Sequence, residues 1–213
     1  MPDELVFYTN PMSRGRIARW MLEEVGRPYR TEILDYGTTL KAPAFLAINP
    51  MGKVPALRHG EAVITECAAI CAYLADAFPE AGLGPPPGAA GRAAYFRWMF
   101  FAAGPVEAAV TNKSMGFEVP ASREMMAGYG TFDLMLNTLE GAVSHGDFVA
   151  GDRFTAADVY VGSQIGWGMQ FGSMEKRPAF ERYWARISGR PAAVRAREID
   201  DALMPAQPTP PAA

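Results

Sequence analysis

Side chains able to act as nucleophiles, metal ligands or proton carriers are few in this chain, and their spacing narrows what they can do. Two cysteines, Cys67 and Cys71, lie four residues apart. A helix would put both on one face, which suits small buried hydrophobes and builds no disulfide scaffold. The two histidines, His59 and His145, would need carboxylates or these cysteines to complete a zinc site, so no metal is expected. No Walker lysine is followed by Ser or Thr, and no G-x-G-x-x-G follows a strand. Gly162-Ser163-Gln164-Ile165-Gly166 resembles a nucleophile elbow only superficially, because its glycine directly precedes the serine. What remains are hydroxyls and carboxylates at helix starts. Ser13 opens an apolar helical pattern and is an N-cap candidate. Glu66 and Cys67 fall in a first turn whose free N–H groups attract a carboxylate. Thr155 and Asp158 have the spacing of a capping box and are assigned to folding.

The elements that must position these residues change character along the chain. Leu5–Thr9 is a short apolar strand ending at Asn10-Pro11. Ser13 to Val25 carries Ile17, Met21, Leu22 and Val25 at helical spacing, with Gly26 and Pro28 as the stop. Tyr29 to Asp35 reads as a second strand and Lys41 to Ile48 as a weaker helix. Val54 to Leu57 and Ala62 to Ile64 flank His59-Gly60-Glu61 as a hairpin, before a helix from Thr65 to Phe78. The order β-α-β-α-β-β-α describes a small α/β unit. Pro79 to Gly91, rich in Pro and Gly, is the clearest linker. Beyond it strand signals nearly vanish. Helices are expected over Arg92–Met115 with a kink, or an end to its first half, at Gly104-Pro105, over Ser122–Val143 with an irregularity at Gly128-Tyr129-Gly130, from Thr155, over Pro178–Ser188, and over Pro191–Leu203. The expected division is residues 1–80, a linker over 81–91, an all-helical unit over 92–205 and a disordered tail over 206–213.

The chain of 213 residues is 49% hydrophobic, enough for a sizeable core, and carries a formal net charge of −3. With a pI near 5.5, that balance argues against nucleic-acid binding through a general electrostatic footprint and against docking on an anionic membrane. The acidic residues near the N-terminus do not suit a signal peptide, and the most apolar segment, Trp98 to Val106, is too short to span a bilayer. A cytoplasmic protein without nucleic-acid or membrane partners is the expectation.

Three segments, in order, resemble the cytosolic glutathione S-transferases over about residues 4 to 203. Asn49-Pro50-Met51-Gly52-Lys53-Val54-Pro55-Ala56-Leu57 is similar to the family's loop before its cis-proline. Thr65-Glu66-Cys67-Ala68-Ala69-Ile70 with Tyr73-Leu74 is similar to its Glu-Ser-x-Ala-Ile-x-x-Tyr-Leu helix start. Phe154 to Asp158 is similar to the capping box of its helical domain. The resemblance is to bacterial members with a serine-like active site. It implies a thioredoxin-like α/β N-terminal domain that binds glutathione, an all-α C-terminal domain that supplies the second-substrate pocket, and a homodimer engaged in detoxification.

The implied reaction conjugates the glutathione thiolate to a small hydrophobic electrophile, with glutathione as co-substrate and no metal. A thiol with a pKa near 8.5 is only a few per cent ionised at neutral pH. One hydroxyl donating to the thiolate is worth about 1.5–3 kcal/mol, or roughly one to two pKa units. Ser13 is the candidate donor, although measured back from Arg16 it is displaced by about one residue from the family's usual serine; Tyr8, a strand residue, and Asn10, exposed by the turn, are the rivals. The resemblance places Val54 and Pro55 against the cysteinyl part of glutathione, Lys53 at its glycine carboxylate, and Glu66 with Cys67 at its γ-glutamyl end. Cys67 stands where the family usually has Ser and offers only a weak donor. Arg14 and Arg16 either contact glutathione or face solvent or a partner subunit. Met12, Tyr95, Trp98, Phe101 and Trp167 are candidates for the second-substrate wall. The segment Asn10 to Arg16 lacks the cysteine of thiol transferases and dehydroascorbate reductases. Peroxidase or reductase activity through the same thiolate, and a non-catalytic binding or interaction role on this scaffold, are the alternatives.

Overall fold

The computed structural model describes residues 4–204, so the tail expected over 206–213 lies outside the described residues. Four strands, β1 (Leu5–Thr9), β2 (Arg30–Ile33), β3 (Ala56–His59) and β4 (Ala62–Thr65), form a mixed sheet in the order β2-β1-β3-β4. β1 runs parallel to β2 with Val6 opposite Arg30, and antiparallel to β3 with Phe7 opposite Leu57. All five residues of β1 are buried because it is central and covered on both faces. Leu5 and Phe7 pack towards helices α1 (Gly15–Val25) and α3 (Cys67–Ala77), whereas Val6 and Tyr8 pack with Leu40, Phe45 and Ala56 on the other face. The short helix α2 (Pro43–Leu46) supplies Phe45. The period-two alternation of β1 thereby sorts its side chains between two layers. Gly60, at φ +55°, turns β3 into β4.

Among the described residues the named elements after β4 are all helices, with one isolated bridge between Phe148 and Gly151. α4 (Arg92–Phe101) and α5 (Glu107–Ser114) are joined without a break by a π-helical turn over Ala102–Val106. Pro105 therefore widens the helix where a sharper kink was expected. The helix expected from Ser122 begins only at Phe132. Ala121–Met126 is a 3-10 segment with Met125 and Met126 fully in solvent, Gly130 takes φ +64°, and Thr131 caps α6 (Phe132–Ser144) by accepting from the Leu134 N–H at 3.1 Å. With Tyr129 alone packed on the core, residues 121–131 bury too little apolar surface to favour regular α-helix.

α7 (Ala156–Phe171) is the central pillar, buried at every position from Ala156 to Gly166. The capping box forms: Thr155 N–H and Oγ1 meet Asp158 Oδ2 at 2.8 and 3.0 Å. Asp158 Oδ1 also accepts from the Val149 N–H and the Tyr183 hydroxyl, and burial still holds its carboxyl above the usual range. Gly166 admits α8 (Pro178–Ser188), since a Cβ there would stand 2.8 Å from the Trp184 ring.

The last helix, α9 (Pro191–Ala202), returns to the first. Arg190 forks onto Glu24 at 2.7 and 2.8 Å, and Arg195 pairs with Glu23. Arg19 and Asp200, each only 1% exposed, form a buried ion pair at 2.8 Å. Arg19 and Trp20 are therefore buried, although they lie off the apolar stripe read from the sequence.

Candidate functional site

The turn between β1 and α1 is built by Asn10. Its side-chain NH2 donates to Leu34 O at 2.8 Å and its Oδ1 accepts from the Met12 N–H at 2.9 Å. Asn10 is thus 5% exposed and committed at both ends, which corrects the expectation that the turn exposes it. Tyr8 is buried against Phe45, as expected of a strand residue. Ser13, half-buried, ends this turn one residue before the Arg14 cap position, so it is not itself the N-cap of α1. Its hydroxyl donates to Asn10 O at 2.7 Å and accepts from the Gly15 N–H at 2.9 Å. Asn10 O also receives the Ser13 N–H at 3.0 Å, so it keeps a partner if the hydroxyl turns away. Gly15 is required by close approach: a Cβ there would run into Thr9 Oγ1 and stand 2.9 Å from Ser13 Oγ.

Ser13 lines a cleft of ≈ 1040 Å³ together with Met12, Lys53, Val54 and two aromatic residues of α7, Trp167 and Phe171. The Val54–Pro55 peptide bond is cis. Among the described residues neither the N–H nor the C=O of Val54, which lines the cleft, has a hydrogen-bond partner. Lys53 is exposed beside it. Lys41, which the sequence reading passed over, lines the same end and donates to Met51 O at 3.2 Å and Gly52 O at 2.9 Å. Gly52 makes room for it, since a Cβ there would stand 2.8 Å from Lys41 Nζ. With Arg14 and Arg16 the cleft has four cationic residues against Asp201, and it favours anions.

Glu66 and Cys67 open α3 but are not among the residues lining this cleft. Glu66 is exposed and takes φ 67°, ψ 118°, the one non-glycine residue with positive φ among those described. Backbone strain of this kind costs on the order of 1–3 kcal/mol and collects at ligand sites. No motif in the sequence announces it. The Cys67 thiol turns inward, 3.5 Å from Arg14 O. The neighbouring Cys71 thiol, together with burial, holds it well above the usual thiol range.

Of the five residues expected to wall the second substrate, Met12 and Trp167 line the cleft and Tyr95, Trp98 and Phe101 do not. Met12 lines the cleft, 57% exposed. Tyr95 does not: it is 1% exposed in the core, with its hydroxyl unpartnered. Trp98 and Phe101 pack edge-to-face on each other and also lie outside the lining. Aromatic spacing on α4 records helix packing, whereas the apolar wall comes from the last turn of α7 through Trp167 and Phe171. Among the described residues no cluster of His, Cys, Asp and Glu could hold a metal, and no helix is long and apolar enough to cross a membrane.

A four-stranded β-α-β plus hairpin sheet with flanking helices, followed by an all-helical unit, defines a thioredoxin-like domain joined to a helical one. Residues 12–77 match the glutathione S-transferase N-terminal domain and residues 121–191 the glutathione S-transferase C-terminal domain. The chain belongs to the glutathione S-transferase family. It is 28% identical over 172 residues to glutathione S-transferase GST-4.5 of Xanthomonas campestris, covering 78% of this chain and 83% of that protein. The crystal structure of a glutathione transferase from Methylococcus capsulatus superimposes with a TM-score of 0.77 at 29% identity, covering 93% of this chain and 99% of that one. A sphingomonad glutathione S-transferase complexed with glutathione gives a TM-score of 0.75 at 27% identity, covering 92% and 98%.

Proposed function

We propose that this enzyme conjugates the glutathione thiolate to small, largely apolar electrophiles. The observation that carries the reading is the unpaired Val54 edge and the Ser13 hydroxyl lining one cationic cleft. Val54 N–H and C=O pair with the cysteinyl backbone of glutathione as a short strand would. This sets the sulfur near the start of α1, whose positive end favours an anion. The Ser13 hydroxyl turns from Asn10 O to the sulfur. Its acceptance of the Gly15 N–H polarises the O–H and strengthens it as a donor. The thiol proton leaves to solvent. The thiolate then attacks the electrophilic carbon, forming the C–S bond while the leaving group departs with its electron pair.

Lys53, with Lys41 behind it, holds the glycine carboxylate. Glu66 binds the γ-glutamyl amine, and the α3 N–H groups, more than the inward-turned Cys67, receive its carboxylate. Asn10 serves by fixing the turn that carries Ser13. Met12, Trp167 and Phe171 cover the electrophile. Residues 1–80 and 92–205 divide the work between glutathione and second substrate, and the protein acts in detoxification in the cytoplasm as a homodimer.

The test is the initial rate of glutathione conjugation to 1-chloro-2,4-dinitrobenzene, with cumene hydroperoxide assayed in parallel. Conjugation that fails with Ser13→Ala at unchanged fold supports the reading. Hydroperoxide turnover alone would replace it with a peroxidase, and binding of glutathione without any turnover would leave a scaffold protein.

A further inference from the structure

Four cationic side chains line the cleft, and their own hydrogen bonds separate them. Arg16 is occupied on both edges, its Nε donating to Pro11 O at 2.6 Å and its Nη1 to Asp201 at 2.7 Å. Lys41 is spent on two backbone carbonyls, and Lys53 sits beside the Val54 edge assigned to glutathione. Arg14 differs. Its Nε lies 3.0 Å from Glu107 Oε1, while its two terminal nitrogens make no hydrogen bond among the described residues. The same Glu107 oxygen accepts from the Tyr160 hydroxyl at 2.7 Å and from Gln164 at 2.9 Å. Glu107 is the first residue after the π turn of Ala102–Val106, so α5 and α7 together fix the carboxylate that aims Arg14. The ion pair holds the guanidinium near Glu107 and leaves both terminal nitrogens without a hydrogen bond among the described residues, a planar two-nitrogen fork of the shape that matches a carboxylate. Arg14 is tied to α5 and α7, and α7 also supplies the aromatic wall of the cleft.

We infer that Arg14 is a specificity-determining residue that receives a carboxylate on the second substrate, which is therefore an apolar or aromatic electrophile carrying an anionic group. The inference rests on the assignment of this cleft to glutathione and its acceptor, and it narrows the class of acceptor. Because Arg14 is 46% exposed, the discrimination is about tenfold, below that of a fully desolvated pair.

The test is calorimetric titration of the full chain with 4-nitrobenzoate and with its uncharged counterpart 4-nitrobenzamide, in saturating S-methylglutathione. The wild type binds the benzoate about tenfold more tightly, Arg14→Gln brings the ratio close to one, and Arg14→Lys retains part of it. A wild-type ratio near one, or a ratio that survives in Arg14→Gln, overturns the inference. Absence of heat on adding S-methylglutathione would defeat the glutathione reading separately, and the two nitroaromatics are then compared on the free protein with the same criteria.

Discussion

Asp200→Ala is predicted to cost about 3–5 kcal/mol, the range for removing one partner of a buried ion pair. Both side chains are 1% exposed and meet at 2.8 Å. The Arg19 guanidinium lies 5.2 Å from the centre of the Phe7 ring, and its remaining donors reach only Tyr29 and Thr31 hydroxyls at 3.2 and 3.3 Å. Without Asp200 a full positive charge stays buried, and Nη2, already without a partner, gains none. Burial outweighs Arg19 in setting the Asp200 carboxyl above its usual range, so the pair does not fully recover its desolvation. Replacing both residues, as Arg19→Met with Asp200→Leu, should therefore fall within about 1 kcal/mol of wild type; with about 3–5 kcal/mol lost in each single variant, the coupling across the cycle is at least about 5 kcal/mol. Urea unfolding at fixed protein concentration, with m-values compared, measures it. A loss under about 1 kcal/mol for Asp200→Ala, or additive single effects, would refute the claim that α9 clamps α1 through a dry charge pair.

Cys67 and Cys71 are both buried, and the Cys67 thiol is held neutral, so thiol titration should count none in the native protein at neutral pH and two after denaturation. Gly15→Ala forces Thr9 and Ser13 apart and should lower conjugation activity at least tenfold, with a stability loss of about 1–3 kcal/mol, by rate assay and thermal melt. Thr131→Ala should cost about 1 kcal/mol through its lost cap on α6.

The fold was legible where period and punctuation agreed. Leu5–Thr9, the Gly26 stop, the hairpin about Gly60 and the Thr155–Asp158 box stand where pattern and turn chemistry place them. The sequence pattern misplaced elements where tertiary contact decides. Residues 121–131 have helical spacing but only Tyr129 packs against the core, and Pro105 is absorbed by a π turn inside a continuous helix. In the cleft, Ser13 could be singled out because it opens a helical pattern after a turn, and Lys53 and Val54 through the family resemblance. Lys41 and Phe171 could not, since a lysine in a weak helix and an aromatic at the end of an apolar one carry no local mark, and Trp167 stood only as one of several candidate aromatics. Arg14 was visible as a residue, but its partner lies 93 positions away in α5, and no spacing rule links them.

The central claim is that Ser13 stabilises the glutathione thiolate in this cleft, and ultraviolet titration of bound glutathione tests it most directly. With wild type the thiol should ionise roughly one to two pKa units below its value in free solution. With Ser13→Ala glutathione should still bind but lose that depression. Glutathione that titrates on the wild-type protein as it does in water, or a depression unchanged by Ser13→Ala, would contradict the account.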